Sequence, residues 1–137
     1  MSRLDEIAEA LRVDLGEVYP TVRVTAVQTP EQFIQEIRAI NPDRLPGVVI
    51  VFDSFSANGG EGFEEYQFTL VVVDRFVAGS SERVFSVFKA GADLLDRFPR
   101  DGRNLGGVFI TPTDIVAASP DPNYAALALG ITCKQGF

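Results

Sequence analysis

Two long apolar runs, "GVVIVFDSF" (residues 47–55) and "FEEYQFTLVVVDRF" (residues 63–76), flank the glycine-rich stretch "SANGGEG". The first run hardly alternates, which predicts a strand covered on both faces or central in its sheet. In the second, Tyr66, Phe68, Leu70 and Val72 line one face, with Gln67 and Thr69 starting the other. Glycine, asparagine and serine between two such strands suit a hairpin connection, because they accept the dihedral angles of tight turns. A chain built around this hairpin needs a layer of helices to cover it, and the flanking sequence supplies one.

Residues 2–18 read as a helix with Leu4, Ile7, Ala8, Leu11 and Leu15 on one stripe; Tyr19-Pro20 ends it. "TVRVTAVQ" alternates as a half-buried strand, with Val22, Val24 and Ala26 on one face. Thr29, Pro30 and Gln32 then form the start signal of a second helix, a capping box with proline at the first helical position, and Phe33, Ile37 and Ile40 are its buried line. A third helix begins at Ser80 or Ser81, with Val84, Phe88, Gly91, Leu95 and Phe98 on its stripe and Val87 and Leu94 beside it. Gly91 inside that stripe predicts a close approach to a sheet, since mid-helix glycine otherwise only weakens the helix. "PRDGRNLGG" reads as a loop, residues 107–119 as a strand interrupted by Pro112, and residues 124–134 as a last strand with Leu127, Leu129, Ile131 and Cys133 on one face. The order is α-β-α-β-β-α-β-β in one domain over residues 1–137. It predicts an α+β fold: a mainly antiparallel sheet of four to five strands with helices packed on it.

The chain has no histidine and one cysteine among its 137 residues. Ser–His–Asp and Cys–His catalysis and imidazole metal sites need a side chain it lacks. Cys133 falls on an apolar strand face, which favours a core role over a nucleophilic one. No catalytic, cofactor or metal residue is assigned. The formal net charge of −7, with 12 basic residues scattered among 19 acidic ones, speaks against nucleic-acid binding, which needs clustered cations. No run approaches the ~20 apolar residues of a membrane span. Acids among the first twenty residues are unlike a signal peptide, so the chain is expected to stay in the cytosol.

The glycine-rich loop invites a phosphate reading. It lacks the lysine and hydroxyl that a phosphate cradle requires, and Glu61, Glu64 and Glu65 follow the glycines. An alternative is a small cytosolic metal-dependent enzyme or hydrolase using Asp53, Glu61, Glu64 and Glu65. The simpler expectation is a contact loop made by Ser54, Phe55, Asn58, Gly59, Gly60, Glu61 and Phe63. Eleven phenylalanines are a heavy aromatic load, and Phe52, Phe55, Phe63, Phe76 and Phe137 sit near loop ends or the terminus. Exposed aromatics of this kind mark protein partners, which predicts an oligomer.

Residues 46–52 "PGVVIVF", Gly91 to Leu95, Leu105-Gly106 and Tyr124 to Thr132 together resemble the tail-terminator family of Mu-like tailed phages and prophages. The resemblance runs over most of the chain and rests on short structural motifs. It implies a small tail-terminator-like fold that forms a ring, usually a hexamer, on the head-proximal end of a tail tube. The ring stops polymerisation of the tube and offers a surface to the head. The implied partners are other copies of the chain, the tail tube protein and the head-neck connector, with no membrane involved and no cofactor. The implied location is the virion tail, after assembly in the host cytoplasm. DNA would pass through the ring without specific binding, and an acidic lumen would keep phosphates from adhering.

Overall fold

The computed structural model describes residues 3–26, 29–40, 42–58, 63–75, 81–121 and 124–136. Among them are three helices, α1 (Arg3–Gly16), α2 (Pro30–Arg38) and α3 (Ser81–Arg97), a 3-10 turn at Pro42–Arg44, and six strands. The strands are β1 (Thr21–Ala26), β2 (Gly47–Asn58), β3 (Phe63–Arg75), β4 (Arg103–Leu105), β5 (Val108–Asp121) and β6 (Tyr124–Gly136). They make one sheet in the order β1-β2-β3-β6-β5-β4.

The α+β class agrees with the sequence reading; the sheet is larger and mixed. β1 pairs with β2 in parallel, from Thr21 opposite Gly47 to Ala26 opposite Phe52. A parallel pair needs a crossover, and α2 with the 3-10 turn supplies it, returning the chain to the end of the sheet where β1 began. The sixth strand is β4, three residues within the segment expected to be a loop, paired with residues 108–110 of β5. Pro112 does not end β5: the ladder to β6 continues past it after a bulge in which Thr113 and Asp114 together oppose Gly130. A Cβ on residue 130 would lie 2.3 Å from the Thr113 hydroxyl oxygen, so glycine is what lets the bulge sit there.

The central strands are buried on both faces. On one face α1 and α3 pack over Val48, Ile50, Phe68, Leu70, Val72, Ile110, Leu129, Ile131 and Cys133, contributing Ile7, Leu11, Leu15 and Leu94, with Phe98 just beyond α3. On the other, α2 sets Ile37, with Ile40 beyond its end and Phe33 alongside, on Val49, Val71, Val73 and Ala126. The capping box that starts α2 is made as the sequence predicts: Thr29 Oγ1 accepts from the Gln32 amide, and Gln32 Oε1 accepts from the Thr29 amide. Val24, expected on a buried face of β1, is 42% exposed because β1 is an edge strand.

The buried line of α3 differs from the expected stripe. Gly91, Leu94 and Phe98 face inward, whereas Phe88 and Leu95 are 54% and 39% exposed. The expected close approach at Gly91 is present: a Cβ there would lie 2.4 Å from Leu127 Cδ1. The helix is turned so that Gly91, which has no side chain, faces Leu127 of β6.

The C-terminal ends of α1 and α3 are joined by a carboxylate that sequence patterning assigned to no role. Asp14 is only 7% exposed. Its two oxygens accept a fork from Arg97 (Nε to Oδ2 2.8 Å, Nη2 to Oδ1 2.9 Å) and a second from Arg103 on β4 (Nη1 to Oδ2 2.9 Å, Nη2 to Oδ1 2.7 Å). Arg97 Nη2 also donates to the Asp14 carbonyl at 2.8 Å, one of the acceptors a helix end leaves over. The Arg103 guanidinium lies over the Phe98 ring, 5.7 Å from its centroid. Burial pushes the Asp14 carboxyl up, but the hydrogen bonds from Arg103 and Arg97 outweigh it and hold the group below the ordinary carboxylate range.

Because the folded value is depressed, the contribution of Asp14 is complete above the unfolded value of 3.8 and is lost as pH falls through the folded one. Asp14→Ala takes the shared carboxylate from two partly buried guanidiniums, leaving Arg97 with the exposed Glu17 at 3.2 Å as its carboxylate partner, and is expected to cost about 3 kcal/mol in urea unfolding at neutral pH. Its stability is expected to fall less steeply than that of the wild type below pH ~4. Gly91→Val, which drives a branched side chain into Leu127, is expected to cost about 2 kcal/mol in the same assay.

Candidate functional site

The contact residues proposed from sequence lie along the β2–β3 hairpin arm. Only part of that set falls among the described residues: Gly59, Gly60 and Glu61 lie outside them. Asn58 and Phe63 form the last described pair of the β2–β3 ladder. Ser54 and Phe55 are described fully, and the chain treats them very differently.

β2 carries a bulge at Asp53. Phe52 opposes Phe68, but Ser54 opposes Gln67 and Phe55 opposes Tyr66. Strict alternation would put Phe52 and Phe55 on opposite faces. The extra residue shifts the parity, so both rings point to the face that α1 covers, while Ser54 joins Gln67 on the other. Asp53 Oδ2 accepts from Thr69 Oγ1 at 2.6 Å on that other face, which ties down the bulged residue.

The re-aimed ring helps form a groove. Phe55 and Tyr66 are tilted against each other with centroids 4.9 Å apart, and Phe52 meets Phe68 edge-on at 5.5 Å. With Arg3 and Leu4 from the first turn of α1, Phe52, Phe55 and Tyr66 line a groove of about 410 Å³. Phe52 is partly buried and packed against the core, whereas Phe55 remains 51% exposed. One rim is polar: Arg3 Nη1 donates to Glu64 Oε1 and the Tyr66 hydroxyl donates to Glu64 Oε2, each at 2.6 Å. Burial pushes the Tyr66 phenol up to about 12, and the Glu64 carboxylate adds to the shift.

The acids of the arm do not converge. Glu64 shares the α1 face with Tyr66, while Glu65 and Asp53 belong to the opposite face, where Gln67 Nε2 donates to Glu65 Oε1 at 3.3 Å. Among the described residues no group of three carboxylate, thiol or imidazole side chains is placed to hold a metal ion. Asp53 instead borders a second cleft of about 260 Å³ on the open face with Gln67, Thr69, Thr113 and Asp114. Cys133 is buried in the core, and that burial pushes its thiol up to about 12, far from a reactive thiolate.

Sequence reasoning named Phe55 as an arm residue but missed its partners Arg3 and Leu4, and missed the bulge. The available signal was the pair of polar residues Asp53-Ser54 interrupting an otherwise apolar strand just before Phe55. The sequence matches no family model and no curated protein.

Tyr19 is the second buried phenol, pushed up to about 12 by burial, with Asp93 adding to the shift. Both raised values make these groups stabilising below the unfolded value of 10.0, with that contribution lost as pH rises through about 12. Absorbance titration is therefore expected to show two tyrosines that ionise near pH 12 together with alkaline unfolding; ionisation of both near 10 in folded protein would contradict the geometry.

Proposed function

We propose that this chain is a structural subunit that assembles with copies of itself into a ring at the head-proximal end of a phage-type tail tube. The role is that of a tail terminator or another neck or tail-completion protein, and the β2–β3 arm carries the contact to the neighbouring ring. The observation that carries the reading is Phe55, turned by a bulge onto a groove and left 51% exposed. A soluble chain gains nothing from aiming a half-exposed aromatic at an open groove unless something covers it. The arm's acids fit an electrostatic role better than a chemical one, since they are split between two faces and one of them, Glu64, is engaged with Arg3 and Tyr66.

Three further features support the reading. The sequence resemblance to tail terminators runs through the strands and helix that build this sheet. The net charge of −7 suits a ring through which DNA passes without adhering. A heterologous contact that closes needs two different side surfaces, and an open sheet with β1 at one edge and β4 at the other offers two.

Electron microscopy of the purified chain, alone and mixed with tubes of the tail tube protein encoded in the same genome, tests the proposal. Closed rings seated on tube ends are the expected result. Phe55→Asp is expected to keep the fold and the ring but to lose tube ends, because it places a charge on the arm's apolar contact. A wild-type chain that never associates with tube ends overturns the proposal.

A further inference from the structure

β5 is fourteen residues long, yet β4 covers only its first three on the outer side. From Thr111 onward, no strand among the described residues pairs with that edge. Natural edges are normally blunted by charge, proline or bulges. Here Pro112 and the bulge at Thr113-Asp114 guard one end, and the register shift between Ala118 and Asp121 marks the other. Between them Ile115 to Ala118 is regular, uncharged ladder. Its two large side chains are exposed on opposite faces, Ile115 at 43% and Val116 at 57%. A strand with apolar groups exposed on both faces and an unpaired backbone edge is a template for another strand.

We infer that a second copy of this chain joins the sheet at this edge, and that the strand it supplies is β1. The inference rests on the self-assembly proposed above and adds the strands that meet. Strand direction and the avoidance of like charges point to β1. β1 runs with β2 and opposite to β3, β6 runs opposite to β3, and β5 runs opposite to β6. β5 of one copy therefore meets β1 of the next antiparallel, with the strand order simply continuing. β5 holds two aspartates and no base, while β1 holds Arg23 and no acid. Arg23 donates to Glu36 of α2 at 2.6 Å, so pairing β5 with β1 brings no like charges together, whereas two β5 edges would set acid against acid. Thr21 at the start of β1 also has Arg44 beside it, through its hydroxyl bond to the Arg44 carbonyl.

Area points the same way. Ile115 reaches the place where α3 crosses the sheet at Gly91, and Phe88 and Leu95 lie within a turn of that glycine. Ile115, Phe88 and Leu95 make one small apolar patch and Val116 lies on the other face, far less than the ~800 Å² each partner of a stable interface buries. Side-chain contact alone falls short, and a backbone ladder is what completes it.

Light scattering over a concentration series, combined with amide hydrogen exchange on the full chain, tests the pairing. Val116→Lys is expected to weaken self-association about tenfold or more while leaving the melting temperature of the dilute, dissociated chain unchanged, because a lysine on an edge opposes strand addition. Val13→Lys, at an equally exposed position on α1, is expected to leave association unchanged. In the assembled wild type, amides of residues 111–118 and 21–26 are both expected to gain protection. If Val116→Lys associates as the wild type does, or if residues 111–118 gain no protection on assembly, the strand pairing is wrong and the ring reading stands. A wild type that stays monomeric at every concentration overturns the pairing, and the ring proposal then rests on its own test at tube ends. Open fibres joined through these edges would support the pairing and overturn the ring.

Discussion

The two-sided burial of β3 is the constraint on which the rest of the molecule depends. Leu70 and Val72 face one helical layer, Val71 and Val73 the other, and all four are essentially withdrawn from water. A strand whose two faces are both this fully apolar is most stable between two strands and under two layers. β3 has both. β2 and β6 flank it along nearly its whole length. α1 and α3 must then take one face and α2 the other, and α2 can reach its face only as the crossover that makes β1 parallel to β2. At about 25 cal/mol per Å² of apolar surface removed from water, this layered burial is the dominant favourable term.

Coverage runs out toward the hairpin tip. α2 has only nine residues, so beyond Val71 the second face turns polar, with Thr69, Gln67 and Thr132, whose hydroxyl donates to Gln67 Oε1 at 3.0 Å. On the first face α1 just reaches the arm through Arg3 and Leu4. The groove beside Phe55 is what remains where the helical layer stops and the sheet continues. The bulge at Asp53 changes the content of that space, because one additional residue converts an outward ring into a groove wall. The same device at Thr113-Asp114 shifts β5 after Pro112. In both cases, an insertion of one residue decides which side chains two later positions show to solvent.

The Asp14 cluster has a different character. It does not drive collapse, since a buried ion pair recovers little more than its desolvation cost. It fixes geometry: one carboxylate accepts two guanidinium forks, one from α3 and one from β4, so the ends of three elements have a single mutual arrangement. Nothing in a linear sequence marks this. Asp14 sits between apolar positions of an amphipathic helix, and its partners are 83 and 89 residues away. Glu9 and Arg12, three residues apart on the same helix, make the pair that spacing alone does predict.

Period and punctuation determined most of the elements: the capped start of α2, the stripe Ile7-Leu11-Leu15, the inward faces of β3 and β6, and the tight passage at Gly91. These are local matters, settled by dihedral preference and by which side chains repeat on one face, and they survive any change of partner. Tertiary structure alone decided the parallel placement of β1, the existence of β4, the rotation of α3 that leaves Phe88 and Leu95 outside, and the turning of Phe55 toward Arg3 and Leu4. Each of these depends on which distant segment competes for the same space. A bulge or an edge is defined only by a partner strand, so no reading of one segment by itself can place it.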